Sequence, residues 1–289
     1  MVGQTQYAEM NALINERLAT SRPLIVAHRG CFGGCVAPDT ALAVFGAMAS
    51  GADAVNIDVS SSADQTYYCF HDGYEQELLG VKENIQTLTS AQIDKLSYIW
   101  AGEPTRPYRV AKLLPMLKQF AGKALFILDR SWWRWPHLLQ ALDMLQMPGQ
   151  LILKCPAWES AAFEQLQRFD VKYPVLPICE NPTEAALIID DPDVNTVGVE
   201  LITTSSEHPW FTRMAIDDLH SHGVFCLANT LALTTGVPLF GNINDLLAIT
   251  ESPDVAYGPL LELGIDAIHT DWPWLVRSFR DPRKAPADR

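Results

Sequence analysis

The chain has 289 residues, 48% of them hydrophobic and 19% charged, with 17 Gly and 19 Pro. This composition excludes disordered and collagen-like classes, and the length suits either two average domains or one α/β barrel of about 250 residues. Lys and Arg number 21 against 34 Asp and Glu, a net charge of −13, so nucleic acid is not an expected partner, while a small anion in a local Arg/Lys pocket remains compatible.

The opening MVGQTQYAEMNALINERL carries acidic residues and no apolar core, so it does not read as a signal peptide; a helix is expected over about residues 7–19. No run approaches the roughly 18 apolar residues of a membrane span. Of six cysteines, Cys69, Cys155, Cys179 and Cys226 fall in apolar, strand-like runs, as free thiols in a reducing cytosol do, and a cytoplasmic location is expected. Cys31 and Cys35 lie in a Gly-rich loop, but no second Cys/His pair completes a zinc site with them.

In chain order the short apolar runs are LIVAH (24–28), AVNIDV (54–59), TYYCFH (66–71), ALFILD (124–129), LILK (151–154), VLPIC (175–179), TVGVEL (196–201), VFCLAN (224–229) and AIHTD (267–271). Amphipathic segments lie between most of them, such as 40–51, 135–145, 161–170 and 214–223. Strand–helix alternation with short connections predicts an α/β fold with a parallel sheet. The expected form is a single-domain (β/α)8 TIM barrel with a core over about 22–280, an insertion or lid over 74–112 after the third strand, and a tail over 281–289. An open doubly wound sheet is the alternative, weakened by the lack of a Gly-rich dinucleotide loop. Nine runs are one too many for the barrel, and the link between 54–59 and 66–71 is too short for a helical crossover.

The ionisable residues fall at or next to the C-terminal ends of these runs: His28, Asp58, His71, Asp129, Lys154, Glu200 and Asp271. In a parallel barrel those ends converge on the face that carries active sites. A strand period of two turns Asn56 and Asp58 to one side and Val55, Ile57 and Val59 to the other. Any one such residue alone is an ordinary cap or core group; the set together predicts a shared site. Two histidines suit general acid and base, carboxylates with an amide oxygen suit a hard divalent cation, and Arg29 offers a forked donor to phosphate. The combination points to phosphoester chemistry.

LIVAHRG (24–30), GADAVNIDV (51–59), YYCFHDG (67–73), FILDRSWW (126–133), CLANTL (226–231) and GIDAIHTDWP (264–273) occur in this order. Together they resemble the glycerophosphodiester phosphodiesterase family of the phosphatidylinositol-phospholipase-C-like superfamily, over roughly residues 20–280. The resemblance implies that His28 and His71 are the acid/base pair, that Arg29 holds the phosphate, and that Asn56, Asp58 and Asp129 hold Mg²⁺ or Ca²⁺. The implied reaction is metal-dependent hydrolysis of a glycerophosphodiester or related small phosphodiester to an alcohol and a phosphomonoester.

The chain departs from the family pattern in four places. Asn56 stands where the pattern has a Glu, which predicts weaker metal binding; Asp129 replaces the commoner Glu; VAPDT (36–40) replaces Pro-Glu-Asn-Thr; and Ser131 takes the place of a Lys. Lys154 is expected to restore that cation near the phosphate, the alternative being a solvated rim lysine. Glu200 is expected to act as a ligand or to bind a substrate hydroxyl, with a salt-bridge or capping role as the alternative. Trp132, Trp133, Trp135 and Trp272 would sit over the barrel mouth, where aromatic rings can pack, box a choline group or grip an acyl chain; Trp272 is carried as a substrate contact. Two further outcomes are open: a phospholipase-like lyase that releases a cyclic phosphate, and a non-catalytic barrel that binds a phosphate ligand. Stable membrane anchoring is not expected, since no basic amphipathic helix is present.

Overall fold

The computed structural model describes residues 1–103 and 106–281. Eight parallel strands close into a ring: β1 Leu24–His28, β2 Ala54–Ser61, β3 Leu125–Asp129, β4 Leu151–Pro156, β5 Val175–Cys179, β6 Gly198–Leu201, β7 Phe225–Asn229 and β8 Ala267–Thr270. Each pairs with its sequence neighbour, and β1 pairs with both β2 and β8, so the barrel has no edge. The period-two reading holds along the strands. Val26, Ala54, Ile127, Ile152, Leu227 and Ala267 fill the interior, where Ile14 and Leu18 of the helix Ala12–Thr20 join them. That helix begins later than the sequence suggests, because Thr5–Tyr7 forms a separate 3-10 turn, and its packing plugs the N-terminal end of the barrel. Val55, Ile57 and Val59 face outward into the helix-covered core.

The surplus run is not a barrel strand. β2 continues past the ring, and Tyr67–Cys69 folds back on it antiparallel, pairing Val59 with Cys69 and Ser61 with Tyr67. A hairpin needs only a short link, which is why six residues suffice between the two runs. The chain then makes an excursion to Lys112, packed around Tyr68, Phe70, Ile85, Ile93, Tyr98 and Val110. Tyr98 donates its hydroxyl to the Pro38 carbonyl at 3.2 Å, tying the excursion to the loop after β1.

The helices start where side chains can cap them. Thr40, Asn181, Thr212, Asn244 and Ser252 each accept a backbone N–H of the first turn. Arg280, which composition assigns next to the tail, closes the last helix and pairs with buried Asp53 at 2.5 Å. The expected tail falls outside the described residues beyond Asp281. All six cysteines are free thiols, Cys31 half-buried and Cys35 exposed.

Candidate active site

At the C-terminal mouth the inward positions turn polar. β1 ends in His28, whose Nδ1–H donates to Asp271 just after β8 at 2.8 Å. Asp271 is held in turn by Asp245: its backbone N–H donates to Asp245 Oδ2 at 2.8 Å, while Thr230, Thr270 and Tyr257 donate their hydroxyls to Oδ1. Burial pushes the Asp245 carboxyl up to about 6, above the usual carboxylate range. A raised carboxyl favours the fold below its unfolded pKa of about 3.9 and loses that contribution as pH rises through its folded value. Asp245 is therefore a positioning residue for His28. Asp245→Asn is expected to cost about 1–3 kcal/mol, because an amide N–H₂ then faces one of four donors. It should lower kcat more than it raises KM, and the acid-side fall in melting temperature should become steeper, because the variant lacks the proton uptake that opposes the losses from Asp58 and Glu200. Unchanged melting and kinetics would remove Asp245 from that role.

His71 reaches the mouth by the hairpin. Phe70 N–H donates to the Asp58 carbonyl at 2.9 Å, so the next residue emerges beside Asp58. Its turn is pinned by buried Glu75, which accepts from the N–H groups of Gly73 and Ile85 at 2.7 and 2.8 Å. His71 Nδ1 lies 2.7 Å from the Asp72 carbonyl. A carbonyl only accepts, so Nδ1 carries the proton and Nε2 is the free nitrogen. Burial holds His71 below the ordinary histidine value, Asp58 opposing this and Arg29 and Arg130 adding to it.

Arg29 has φ +53° and is followed by Gly30 at φ +82°. A Cβ on Gly30 would lie 2.6 Å from the Ala43 backbone, so only glycine fits there, and the left-handed pair returns the guanidinium over the mouth. Arg29 Nε pairs with Asp58 Oδ2 at 2.7 Å, and its guanidinium carbon lies 5.0 Å from the Tyr74 ring centroid; the His71 ring stands perpendicular to the same ring, with centroids 4.8 Å apart. Burial would raise Asp58, but Arg29, then His71 and His28, hold it below the usual range. Asp39, also left-handed and buried, accepts the Asp58 N–H at 3.1 Å. Burial and then Asp58 push its own carboxyl well up.

β2 and β3 pair Asp58 with Asp129. Lys154 is not a rim lysine. Its ammonium is sealed between Asp129 Oδ2 at 2.7 Å and Glu200 Oε2 at 2.6 Å. Burial would lower Lys154, but the two carboxylates hold it well above its usual range. Glu200 is in a salt bridge; its other oxygen accepts from Asn229 Nδ2 at 2.8 Å and lies 3.6 Å from His269 Nδ1. His269 packs edge-on to His28, with ring centroids 5.3 Å apart. Ser131 is buried and turned back on the Leu128 carbonyl. Arg130 reaches Asp72 at 3.0 Å and lies over the Trp133 ring. Trp132 and Trp135 are buried, whereas Trp133 and Trp272 are about half exposed.

The mouth thus brings together His28, Arg29, Asn56, Asp58, His71, Asp129, Lys154 and Glu200, with Trp272 on the rim. Asp39, Tyr74, Asn229, Asp245 and His269 join them. The period of two already places Asn229 and His269 inside; Asp39 and Tyr74 arrive on loops and Asp245 at the start of the helix Asp245–Thr250, without any periodic signal. Asn56 carries the sign of a missing partner: it is 1% exposed, and neither its Oδ1 nor its Nδ2 has a hydrogen-bond partner. An orphaned amide beside two carboxylates fits a hard cation, which takes oxygen ligands. A separate group, His220, Cys226 and Asp266, lies away from the mouth, and its Asp266 is already engaged by His220, Arg22 and the Cys226 N–H.

No curated protein sequence matches the chain. Among solved structures, a glycerophosphoryl diester phosphodiesterase from Parabacteroides distasonis is 16% identical, with a TM-score of 0.72 over 95% of this chain and 93% of that one. One from Thermotoga maritima is 17% identical, with a TM-score of 0.64 over 90% and 99%. A phosphodiesterase from Oleispira antarctica, solved with the product sn-glycerol-3-phosphate, is 18% identical, with a TM-score of 0.62 over 90% and 98%. These likenesses establish the barrel fold. The sequence model of the glycerophosphoryl diester phosphodiesterase family matches residues 28–275, a span that opens on the first mouth histidine and closes just past Trp272, so the chain belongs to that family and is a phosphoric diester hydrolase.

Proposed function

We propose that the chain hydrolyses a glycerophosphodiester, or a related small phosphodiester, to an alcohol and a phosphomonoester by acid–base catalysis between His28 and His71. The observation that carries this is the pair of imidazoles around Asp58, each with Nδ1 committed to an acceptor and Nε2 left to act. Burial favours neutral His71, which suits a base that takes the proton of the attacking oxygen. His28, oriented by Asp271, returns a proton to the leaving alcohol. Arg29 neutralises charge on the phosphoryl oxygens from the guanidinium edge that Asp58 does not use, while the Lys154 ammonium, shared by Asp129 and Glu200, offsets part of the negative charge beneath them.

Asn56, Asp58 and Asp129 are the residues that would hold Mg²⁺ or Ca²⁺, and a divalent cation there supplies Lewis-acid polarisation of a phosphoryl oxygen. Binding is expected to be weak, since Asn56 is neutral and Arg29 and Lys154 already satisfy one oxygen of each carboxylate. Asn56→Glu should tighten Mg²⁺ or Ca²⁺ binding by at least about tenfold in a calorimetric titration; unchanged affinity would move the cation away from Asn56. No helix of the described residues is long and apolar enough to cross a membrane, and the free thiols support a cytoplasmic location. The function is tested on glycerophosphocholine by phosphorus NMR, with EDTA and with Mg²⁺ or Ca²⁺. Release of a phosphomonoester from the start supports hydrolysis; a cyclic phosphate as the end product supports the lyase route; no turnover under any condition overturns the reading.

A further inference from the structure

Of eight tryptophans, Trp132, Trp135 and Trp210 are buried and five are 41–54% exposed. The five are Trp133 after β3, Trp158 after β4, Trp272 and Trp274 after β8, and Trp100 on the excursion that follows β2. All lie on segments that leave the C-terminal ends of the strands, and Phe32, 40% exposed after β1, joins them. The outer helices expose Met144, Leu187, Met214, the pair Leu246 and Ile249, and the pair Leu42 and Phe45, but no tryptophan. Scattered aliphatic residues are ordinary on a surface. Exposed tryptophans gathered on one face are not, because each ring has 150–250 Å² of area to bury.

We propose that this aromatic arc docks the mouth transiently on a zwitterionic lipid surface, so that the substrate is a phosphodiester still carrying an acyl chain. Indole is the side chain that settles at a water–hydrocarbon boundary, its ring in the apolar layer and its N–H among head groups. These aromatics follow β8, β1, β2, β3 and β4, consecutive strands of the barrel, and so flank one side of a phosphodiester site; a glycerophosphodiester with an acyl chain attached presents its phosphate at that boundary. A net charge of −13 repels anionic head groups and leaves an uncharged or zwitterionic surface as the matching one. The proposal rests on the phosphodiesterase reading for its substrate, but the docking itself can be tested without turnover.

The test is flotation of the full His71→Ala chain with phosphatidylcholine vesicles, followed by tryptophan emission. Binding with a blue shift is expected, weaker on vesicles containing phosphatidylglycerol. Trp158→Ser with Trp274→Ser should reduce partitioning by at least about tenfold, given the area removed from the layer. In the chain with His71 intact, the same two substitutions should slow hydrolysis of lysophosphatidylcholine micelles and leave hydrolysis of soluble glycerophosphocholine unchanged. No flotation, binding only to anionic vesicles, or partitioning indifferent to both tryptophans would overturn the proposal. Flotation without cleavage of any phosphodiester would uphold docking and overturn the catalytic reading instead.

Discussion

His71→Ala is expected to lower kcat on glycerophosphocholine by about 10³–10⁴-fold, near the upper range for removal of a general base. The ring makes one hydrogen bond, from Nδ1 to the Asp72 carbonyl, and one edge contact with Tyr74. Melting temperature should therefore change little while turnover collapses, a split that a purely structural histidine would not give. Its pH dependence has a definite sign. Burial holds the folded-state value of His71 below the usual 6.5 or so, and the neutral ring is the base. The acid limb of kcat/KM in the unmodified enzyme should thus fall below that ordinary value, and it should vanish in His71→Ala. The same depressed value means that the fold keeps this group's contribution above the unfolded pKa and loses it as pH falls through the folded one. An acid limb that survives in His71→Ala would transfer the base role to another residue, with His269 beside His28 the first to examine.

The barrel is legible in the sequence because strands buried on both faces read as apolar runs, and a period of two separates Val26, Ala54 and Ile127 inside from Val55 and Ile57 outside. The ninth run shows where that signal stops: periodicity is the same for a parallel and an antiparallel strand, and only the short link marks Tyr67–Cys69 as a hairpin. The strand-borne part of the mouth is equally legible, since alternation that places Asp58, Asp129, Lys154 and Glu200 inside also places Asn229 and His269 there. Partners are not. Whether Lys154 faces solvent or two carboxylates depends on side chains from β3 and β6, strands distant from it in sequence. Loop residues are the least legible. Arg29, Asp39 and Arg130 adopt left-handed backbone without being glycine, a strain of about 1–3 kcal/mol each that surrounding contacts impose and local sequence does not announce.

Lys154→Met should destabilise the chain by about 3–5 kcal/mol, because removing one member of a buried ion cluster strands the charges it faced. Asp129 Oδ2 and Glu200 Oε2 both lose the ammonium that lies 2.7 and 2.6 Å from them, and Glu200, 1% exposed, is out of reach of bulk solvent. For a chain of this size that corresponds to a fall in melting temperature of roughly 6–15 °C at pH 7. Adding Glu200→Gln should recover part of the loss, since the Asn229 amide can still donate to the remaining oxygen, and the cycle of single and double variants isolates the ion-pair energy. The pH dependence sharpens the test. In the unmodified chain burial would raise Glu200, but Lys154 and then His269 hold it far below the usual carboxylate range. Its stabilisation is therefore present above the unfolded pKa of about 4.3 and is lost only as pH falls through the folded value. In Lys154→Met burial acts without that opposing ammonium, so Glu200 takes up its proton at much higher pH. The gap in melting temperature between the two proteins should then narrow as pH falls from 7 towards 4. A constant gap would place the loss in packing of the lysine stem, and no gap at all would mean that the Asp129–Lys154–Glu200 bridge contributes nothing to holding the floor of the mouth.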